Sequence, residues 1–189
     1  MSTEYSNQAI NSVLNSEQAF CKFLSANDTG ATGGHQSGIL ISKSAELMLF
    51  SLQQLKQDGI LKRTVKIRWQ DDFLTESCFT YYESKNELRI TRFGRGFPFL
   101  KPNKTGTLFV FTKQSEEDYS GYFLETEEEI EEFIKYQASK NNLDILITDV
   151  KRNKVITNDQ TRIEALEKLK TIVEFNQNGK WGETLYKRL

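Results

Sequence analysis

The chain has 189 residues, a formal net charge of −1 from 25 basic and 26 acidic side chains, and a mean hydropathy of −0.55. That length suits one domain with a real core, and no apolar run approaches the roughly 20 residues that span a bilayer. Two cysteines without a CxxC spacing and a single histidine leave too few ligands for a structural zinc site, so a reduced, cytoplasmic setting away from membranes is expected.

The polar start, residues 1–10, lacks the charged-then-apolar order of a signal peptide. Apolar runs at 20–24 and 39–41 bracket residues 25–38, which hold four of the eleven glycines and the only histidine. Such a segment is too long for a hairpin turn and too polar for a core. It is either a projecting contact arm or a plain solvent-exposed glycine-rich loop. Glycines there, Gly33 and Gly34 among them, let backbone approach a surface, while Asn27, Thr29, Thr32, His35, Gln36 and Ser37 offer hydrogen bonds. A Walker loop is excluded, because His35-Gln36-Ser37 follows Gly34 where Lys-Ser/Thr is needed, and GxGxxG spacing is absent. A catalytic role for His35 lacks triad partners, and no GxSxG motif occurs.

Leu47, Met48, Leu52 and Leu55 have helical spacing after a Ser44 cap, predicting a helix over 44–55 that stops before Gly59. Residues 64–70 alternate, with Val65, Ile67 and Trp69 on one face and Lys66, Arg68 and Gln70 on the other. Strands at 78–82 and 88–93 flank a hairpin connection at 83–87, and the pattern continues at 107–112 and 119–124. Cys21 and Cys78 sit in these apolar contexts as small buried hydrophobes. Thr126 and Glu129 form a capping box opening a helix over 127–138, with Ile130, Phe133 and Ile134 buried. A short strand at 143–147 follows. Asp159 caps a last helix over about 159–176, striped by Ile163, Leu166, Leu169 and Val173. The sum is mainly β (α+β): an antiparallel body with flanking helices, one domain over 1–189 with its core in about 15–150.

Charge divides along the chain. Residues 85–104 carry six cations and one acid, whereas 114–149 carry eleven acids and two lysines. Part of the acidic block answers the dipole of the helix it opens. The asymmetry fits either a one-sided footprint for an anionic partner or ordinary solvated faces. Within the basic segment, Leu88 and Ile90 share one strand face, while Lys85, Glu87 and Arg89 share the other. Arginine offers two donors to guanine O6 and N7, and glutamate accepts from the cytosine N4 amine, so the pattern suits reading a G·C pair in the major groove. The alternative is a cross-strand ion pair of little worth.

Two further readings compete. Asp144, Asp149 and Lys151 superficially resemble the carboxylate-and-lysine set of a metal-dependent nuclease, but the two acids are close in sequence and a charged strand end accounts for them better. The acidic stretch 116–132 would serve a protein-interaction module.

The run Leu24-Ser25-Ala26-Asn27-Asp28-Thr29-Gly30-Ala31-Thr32-Gly33-Gly34-His35-Gln36, the run Arg89-Ile90-Thr91-Arg92-Phe93-Gly94-Arg95-Gly96 and the Thr105-Gly106 step closely resemble the N-terminal DNA-binding domain of EcoRII-like restriction endonucleases. The resemblance is dense over about 20–110. It implies an open pseudobarrel of seven strands or so, like the plant B-three domain, that grips double-stranded DNA with two arms and recognises 5′-CCWGG, W being A or T. By position it assigns DNA contact to one arm with Asn27, Thr29, Thr32, Gly33, Gly34, His35, Gln36 and Ser37. The other arm takes Lys85, Asn86, Glu87, Arg89, Thr91, Arg92 and Arg95. The sequence departs from the family pattern at Glu83 and Leu88, where basic residues are usual, and at Leu40, where an aromatic is. The resemblance further implies a bacterial, cytoplasmic parent enzyme whose separate C-terminal nuclease domain uses Mg2+. The recognition domain itself is expected to be non-catalytic, without a cofactor or metal.

Overall fold

The structure, a computed structural model, describes residues 4–33, 38–56, 59–139 and 145–147. Three helices, α1 (Glu4–Leu14), α2 (Glu46–Leu49) and α3 (Glu127–Ser139), accompany eight strands. These are β1 (Gln18–Phe23), β2 (Ile39–Ile41), β3 (Ile60–Trp69), β4 (Leu74–Tyr82), β5 (Glu87–Thr91), β6 (Leu108–Ser115), β7 (Asp118–Leu124) and β8 (Ile145–Ile147). They form one curled sheet, a half-barrel of seven strands extended by the short β8, in the order β2-β5-β4-β3-β7-β6-β1-β8.

The sheet is mixed, which corrects the wholly antiparallel expectation. The other neighbours pair antiparallel, but β3 meets β7 parallel at Ile67–Trp69 against Tyr119–Gly121, and β1 meets β8 parallel. Hairpin signals mark pairing between strands adjacent in sequence. No local signal marks a junction between strands fifty residues apart.

At the β3–β7 junction sits the core. Trp69 lies against Phe97 at 5.0 Å between ring centroids and against Phe93 and Phe123 at 5.6 Å each, with Phe109 and Phe111 beyond. Its indole N–H donates to Thr75 Oγ1 at 2.8 Å, so the one polar atom of the ring is satisfied inside. Gly121 makes the arrangement possible, because a Cβ there would stand 2.3 Å from the indole.

The other face of β1, β6 and β7 is covered by α1 and α3. Ala9, Ile10 and Val13 meet Ile130, Phe133 and Ile134 over Ala19, Cys21, Phe23, Leu108 and Val110. Burial on both faces explains why 19–24 reads as a continuous apolar run rather than an alternation. In β3 the expected alternation holds for Val65, Ile67 and Trp69, buried, and Lys66 and Arg68, exposed, but Gln70, expected on the outer face, follows the strand in a 3-10 turn and is buried, its Oε1 accepting from Phe123 N at 2.6 Å.

Two helix expectations change. The stretch 44–55 is helical only at Glu46–Leu49, with 3-10 turns at Lys43–Ala45 and Gln54–Lys56. Phe50 turns extended and becomes buried, and Leu47 and Leu52 face solvent. The core takes the phenylalanine at the cost of the helix. Conversely α1 arises from a polar segment, because it docks through hydroxyls as well as methyls. Ser12 bonds Thr112 at 2.7 Å, and Tyr5 donates to Asp71 at 2.6 Å, which raises the Tyr5 phenol to about 12. The capping box of α3 forms as expected, with Glu129 N donating to Thr126 Oγ1 and Thr126 N to Glu129 Oε2. The helix expected over 159–176 lies outside the described residues, and a strand stands at Ile145–Ile147. No helix among the described residues is long and apolar enough to cross a membrane.

Two outcomes follow from this packing. Gly121→Ala is expected to destabilise the domain by about 2 kcal/mol or more, since the methyl meets a ring that cannot withdraw; equal urea midpoints for variant and parent would contradict it. Burial pushes the Cys21 thiol up to about 12, and Cys78 is buried too. Both thiols should stay unlabelled by maleimide at neutral pH until the chain is unfolded, which mass spectrometry of the native and urea-treated protein reads directly.

Candidate functional site

Two projections flank β5. One is the segment 24–38 between β1 and β2, and the other is the turn 83–86 between β4 and β5. Because β2 enters the sheet at Ile39 opposite Ile90 while the turn leaves at Glu87, the projections meet opposite ends of β5. Five residues of antiparallel strand put those ends about 13 Å apart.

The first projection is built on Ser25 and Asp28. Ser25 N and Oγ donate to Asp28 Oδ2 at 2.8 and 2.7 Å, and Asp28 N donates back to Ser25 Oγ at 3.2 Å. This reciprocal box winds residues 25–31 into a helical turn, with Thr29 N donating to Ser25 O and Ala31 N to Ala26 O. Gly30 and Gly33 follow at φ +74° and +71°, in the left-handed region that glycine favours. Asp28 also reaches across the base. Its Oδ1 accepts from Leu40 N at 2.7 Å, and its Oδ2 accepts from Lys22 Nζ at 2.7 Å. Lys22 Nζ donates in turn to Leu40 O at 3.0 Å.

Both charges are buried, with side chains 5% and 1% exposed. Burial lowers the Lys22 pKa, the adjacent Asp28 carboxylate opposes that, and the positive charge of nearby Arg89 adds to the lowering. The projection returns at Gly38, where a Cβ would stand 2.6 Å from Ile90 O and 2.9 Å from the Thr91 methyl. A side chain has no room where the arm meets β5.

The second projection is a tight hairpin, as the sequence implies. A 3-10 turn at Glu83–Lys85 ends on Asn86 in the left-handed region, φ +51°. Glu83 accepts from Gly59 N at 2.6 Å, and Tyr81 donates to Asn86 Oδ1 at 3.2 Å while accepting from Lys43 Nζ at 2.8 Å. Ser84, Lys85 and Asn86 are thereby held exposed.

Along β5, Leu88 and Ile90 enter the core, and Glu87, Arg89 and Thr91 occupy the other face. Arg89 donates through Nε and Nη2 to Glu87 Oε2 at 3.3 and 3.2 Å. Beyond β5 the chain is pinned by Phe93 and Phe97, whose rings are 4.8 Å apart, with Arg92 exposed just before them and Arg95 exposed between them. Arg92 itself adopts φ +61°.

The residues expected to contact a partner therefore differ in placement. Thr32, Gly33, Lys85, Asn86, Arg92 and Arg95 are exposed, and Asn27, Glu87 and Thr91 are half-buried. Arg89 is only 5% exposed. Thr29 is buried, and its hydroxyl bonds Thr105 Oγ1 at 2.7 Å, tying the arm to the β6 side. Thr91 Oγ1 donates to Cys78 O at 3.2 Å. Gly34, His35, Gln36 and Ser37 lie outside the described residues, as do Asp144, Asp149 and Lys151. Lys22 and Asp28 were missed from sequence, although the Ser25-x-x-Asp28 spacing is a capping signal that could have found the second of them.

Much of the acidic block has internal partners. Glu129 caps α3, Glu125 pairs with Lys104, Glu131 pairs with Lys135, and Glu132 accepts from Ser6. Among the described residues no group of acids, histidines and cysteines is placed to hold a metal ion.

Two projections held over a charged floor strand on a curled, mostly β sheet define a binding module. The chain belongs to the EcoRII N-terminal family of restriction endonucleases, whose model matches residues 13–160. The type II restriction enzyme EcoRII of Escherichia coli is 36% identical over 102 residues, which cover 49% of this chain and 25% of the relative. This chain thus spans about a quarter of that relative's length. Among solved structures, the UbaLAI restriction endonuclease B3 domain with cognate DNA is similar at 21% identity, covering 64% of this chain and 78% of that one with a TM-score of 0.40.

Asp28→Ala is expected to cost about 3–5 kcal/mol, because it leaves the Lys22 charge buried without its counter-ion and Leu40 N without an acceptor. Chemical denaturation of the two proteins reads this directly, and a loss under about 1 kcal/mol would contradict the assigned clamp.

Proposed function

We propose that this domain is a sequence-specific double-stranded DNA-binding module, non-catalytic by itself, that reads a 5′-CCWGG-type site through the major groove with its two projections. On this reading it serves as the recognition part of a type II restriction enzyme, whose nuclease domain, C-terminal to it, would use Mg2+. Membership of the EcoRII N-terminal family supports the class of partner. The Glu87–Arg89 pair on β5, between the two projections, is the observation that carries the mode of reading. A protein that needs only phosphate contacts gains nothing from a carboxylate at the centre of its interface, whereas a G·C pair presents acceptors for arginine and an amine for glutamate.

Dimensions support the same reading. The major groove is about 12 Å wide, close to the separation of the ends of β5 that the projections flank. Arg89 reaches a base by exchanging one acceptor for another: its guanidinium leaves Glu87 Oε2 for guanine, and Glu87 is released toward cytosine. The exposed cations Lys85, Arg92, Arg95 and Lys101 supply phosphate neutralisation around that centre.

Fluorescence anisotropy with a 5′-CCAGG duplex and a scrambled duplex at moderate salt tests the proposal. Preferential binding of the first is expected, and equal affinity for both would sink it. Arg89→Ala should lose about 1–3 kcal/mol of discrimination at one G·C pair, while Lys101→Ala should weaken both duplexes alike. Identical behaviour of the two variants would contradict the division of roles.

A further inference from the structure

We infer that the buried Lys22–Asp28 pair is a positioning device for DNA reading: it sets the first projection against β5 and steers Arg89, while touching no DNA itself. The inference rests on the DNA-binding reading above. Its structural basis is separate from the exposed residues that reading uses.

An ion pair with side chains 5% and 1% exposed is weak evidence of a stabilising role, since apolar side chains of similar volume fill such places at no loss. What an apolar pair cannot supply is direction. Asp28 divides its oxygens: Oδ2 collects Lys22 Nζ, Ser25 N and Ser25 Oγ, and Oδ1 takes Leu40 N. Lys22 holds the matching Leu40 O. Both peptide groups of Leu40 are thereby fixed to the start of the projection. Leu40 is also the register partner of Arg89 across β2 and β5, so the arm is anchored at the residue directly opposite Arg89.

The second link is electrostatic. Lys22 and Arg89 are close enough for the arginine to disfavour the lysine's charge, and the repulsion is mutual. Arg89 meets Glu87 through two nitrogens. Glu87 attracts the guanidinium, whereas Lys22 repels it. A planar fork biased in this way is preorganised for a fixed acceptor pair, which is the geometry that discriminates bases.

Lys22→Met keeps the length of the side chain and removes its charge and donors, while Asp28 retains three other donors. In the full chain this variant is expected to lose roughly tenfold or more of the ratio between 5′-CCAGG and scrambled duplex affinities. Its affinity for the scrambled duplex should stay within about twofold, because the phosphate-facing cations are untouched. Combined with Arg89→Ala, it should add little to the loss of ratio caused by Arg89→Ala alone.

A merely structural lysine would move the thermal midpoint and leave the ratio, and would give additive losses. A folded Lys22→Met protein with the parental ratio, or additivity in the double variant, would overturn the inference. Should Lys22→Met fail to fold, Lys22→Arg is the second variant: it keeps the charge, and a displaced Leu40 amide resonance accompanied by a reduced ratio supports positioning, whereas displacement with an unchanged ratio overturns it. A parent chain that binds both duplexes equally sinks the DNA reading itself, and is thereby told apart from failure of the positioning role alone.

Discussion

The Asp28 carboxylate is where the edge strand β2 is tied back to β1. A three-residue edge strand such as β2 gains little from pairing with β5 alone. The Asp28 carboxylate and the Lys22 ammonium accept and donate at Leu40 as a neighbouring strand would. Side chains thus hold β2 where it has no second strand beside it. The same carboxylate winds the first turn of the projection, so anchoring β2 and starting the arm are one event.

The aromatic core supports that anchoring from within. Trp69 lies at the parallel junction where the β3 and β7 halves meet, and Gly121 lets the indole lie flat across β7. With the junction filled, the two apolar clusters separate cleanly. One fills the curl and reaches β2 and β5 through Ile39, Ile41, Leu88 and Ile90. The other lies under α1 and α3, on β1, β6 and β7. Those helices therefore cover the face of β1, β6 and β7 that looks away from the curl. The β5 face carrying Glu87, Arg89 and Thr91 is left to charged and hydroxyl side chains.

How far the sequence carried depended on whether the decisive contacts were local. The alternation of β3, the 83–86 hairpin, the capping box of α3 and the parity of β5 are all written within a few residues, and each is present. The parallel β3–β7 junction depends on a Trp69–Gly121 contact that no period reveals. The helix over 44–55 was overruled by one phenylalanine needed in the core, and α1 was hidden because its docking uses hydroxyls that read as polar surface. At the site, the glycine-rich segment drew attention to the exposed part of the arm. Its working base is instead made by a lysine inside an apolar strand and an aspartate inside a loop, two positions that look like noise until they meet.

The burial of Arg89 then bears on where affinity and specificity come from. Its contact with Glu87 joins a buried guanidinium, 7% exposed, to a carboxylate that is 33% exposed, so leaving that carboxylate without a new acceptor would strand a desolvated charge. On the proposed reading, a correct guanine returns about 1–3 kcal/mol through two hydrogen bonds. Moving the guanidinium from carboxylate to base is then tolerated only where guanine supplies replacement acceptors and is unfavourable on a wrong sequence, where it must either stay with Glu87 or lose acceptors. On the proposed reading, net attraction has to come from elsewhere, and the exposed cations around the projections are the groups able to supply it. Glu87 is then best understood as a competitor that the right base pair displaces: it weakens binding to every sequence, and weakens it least where both it and Arg89 find partners in the groove.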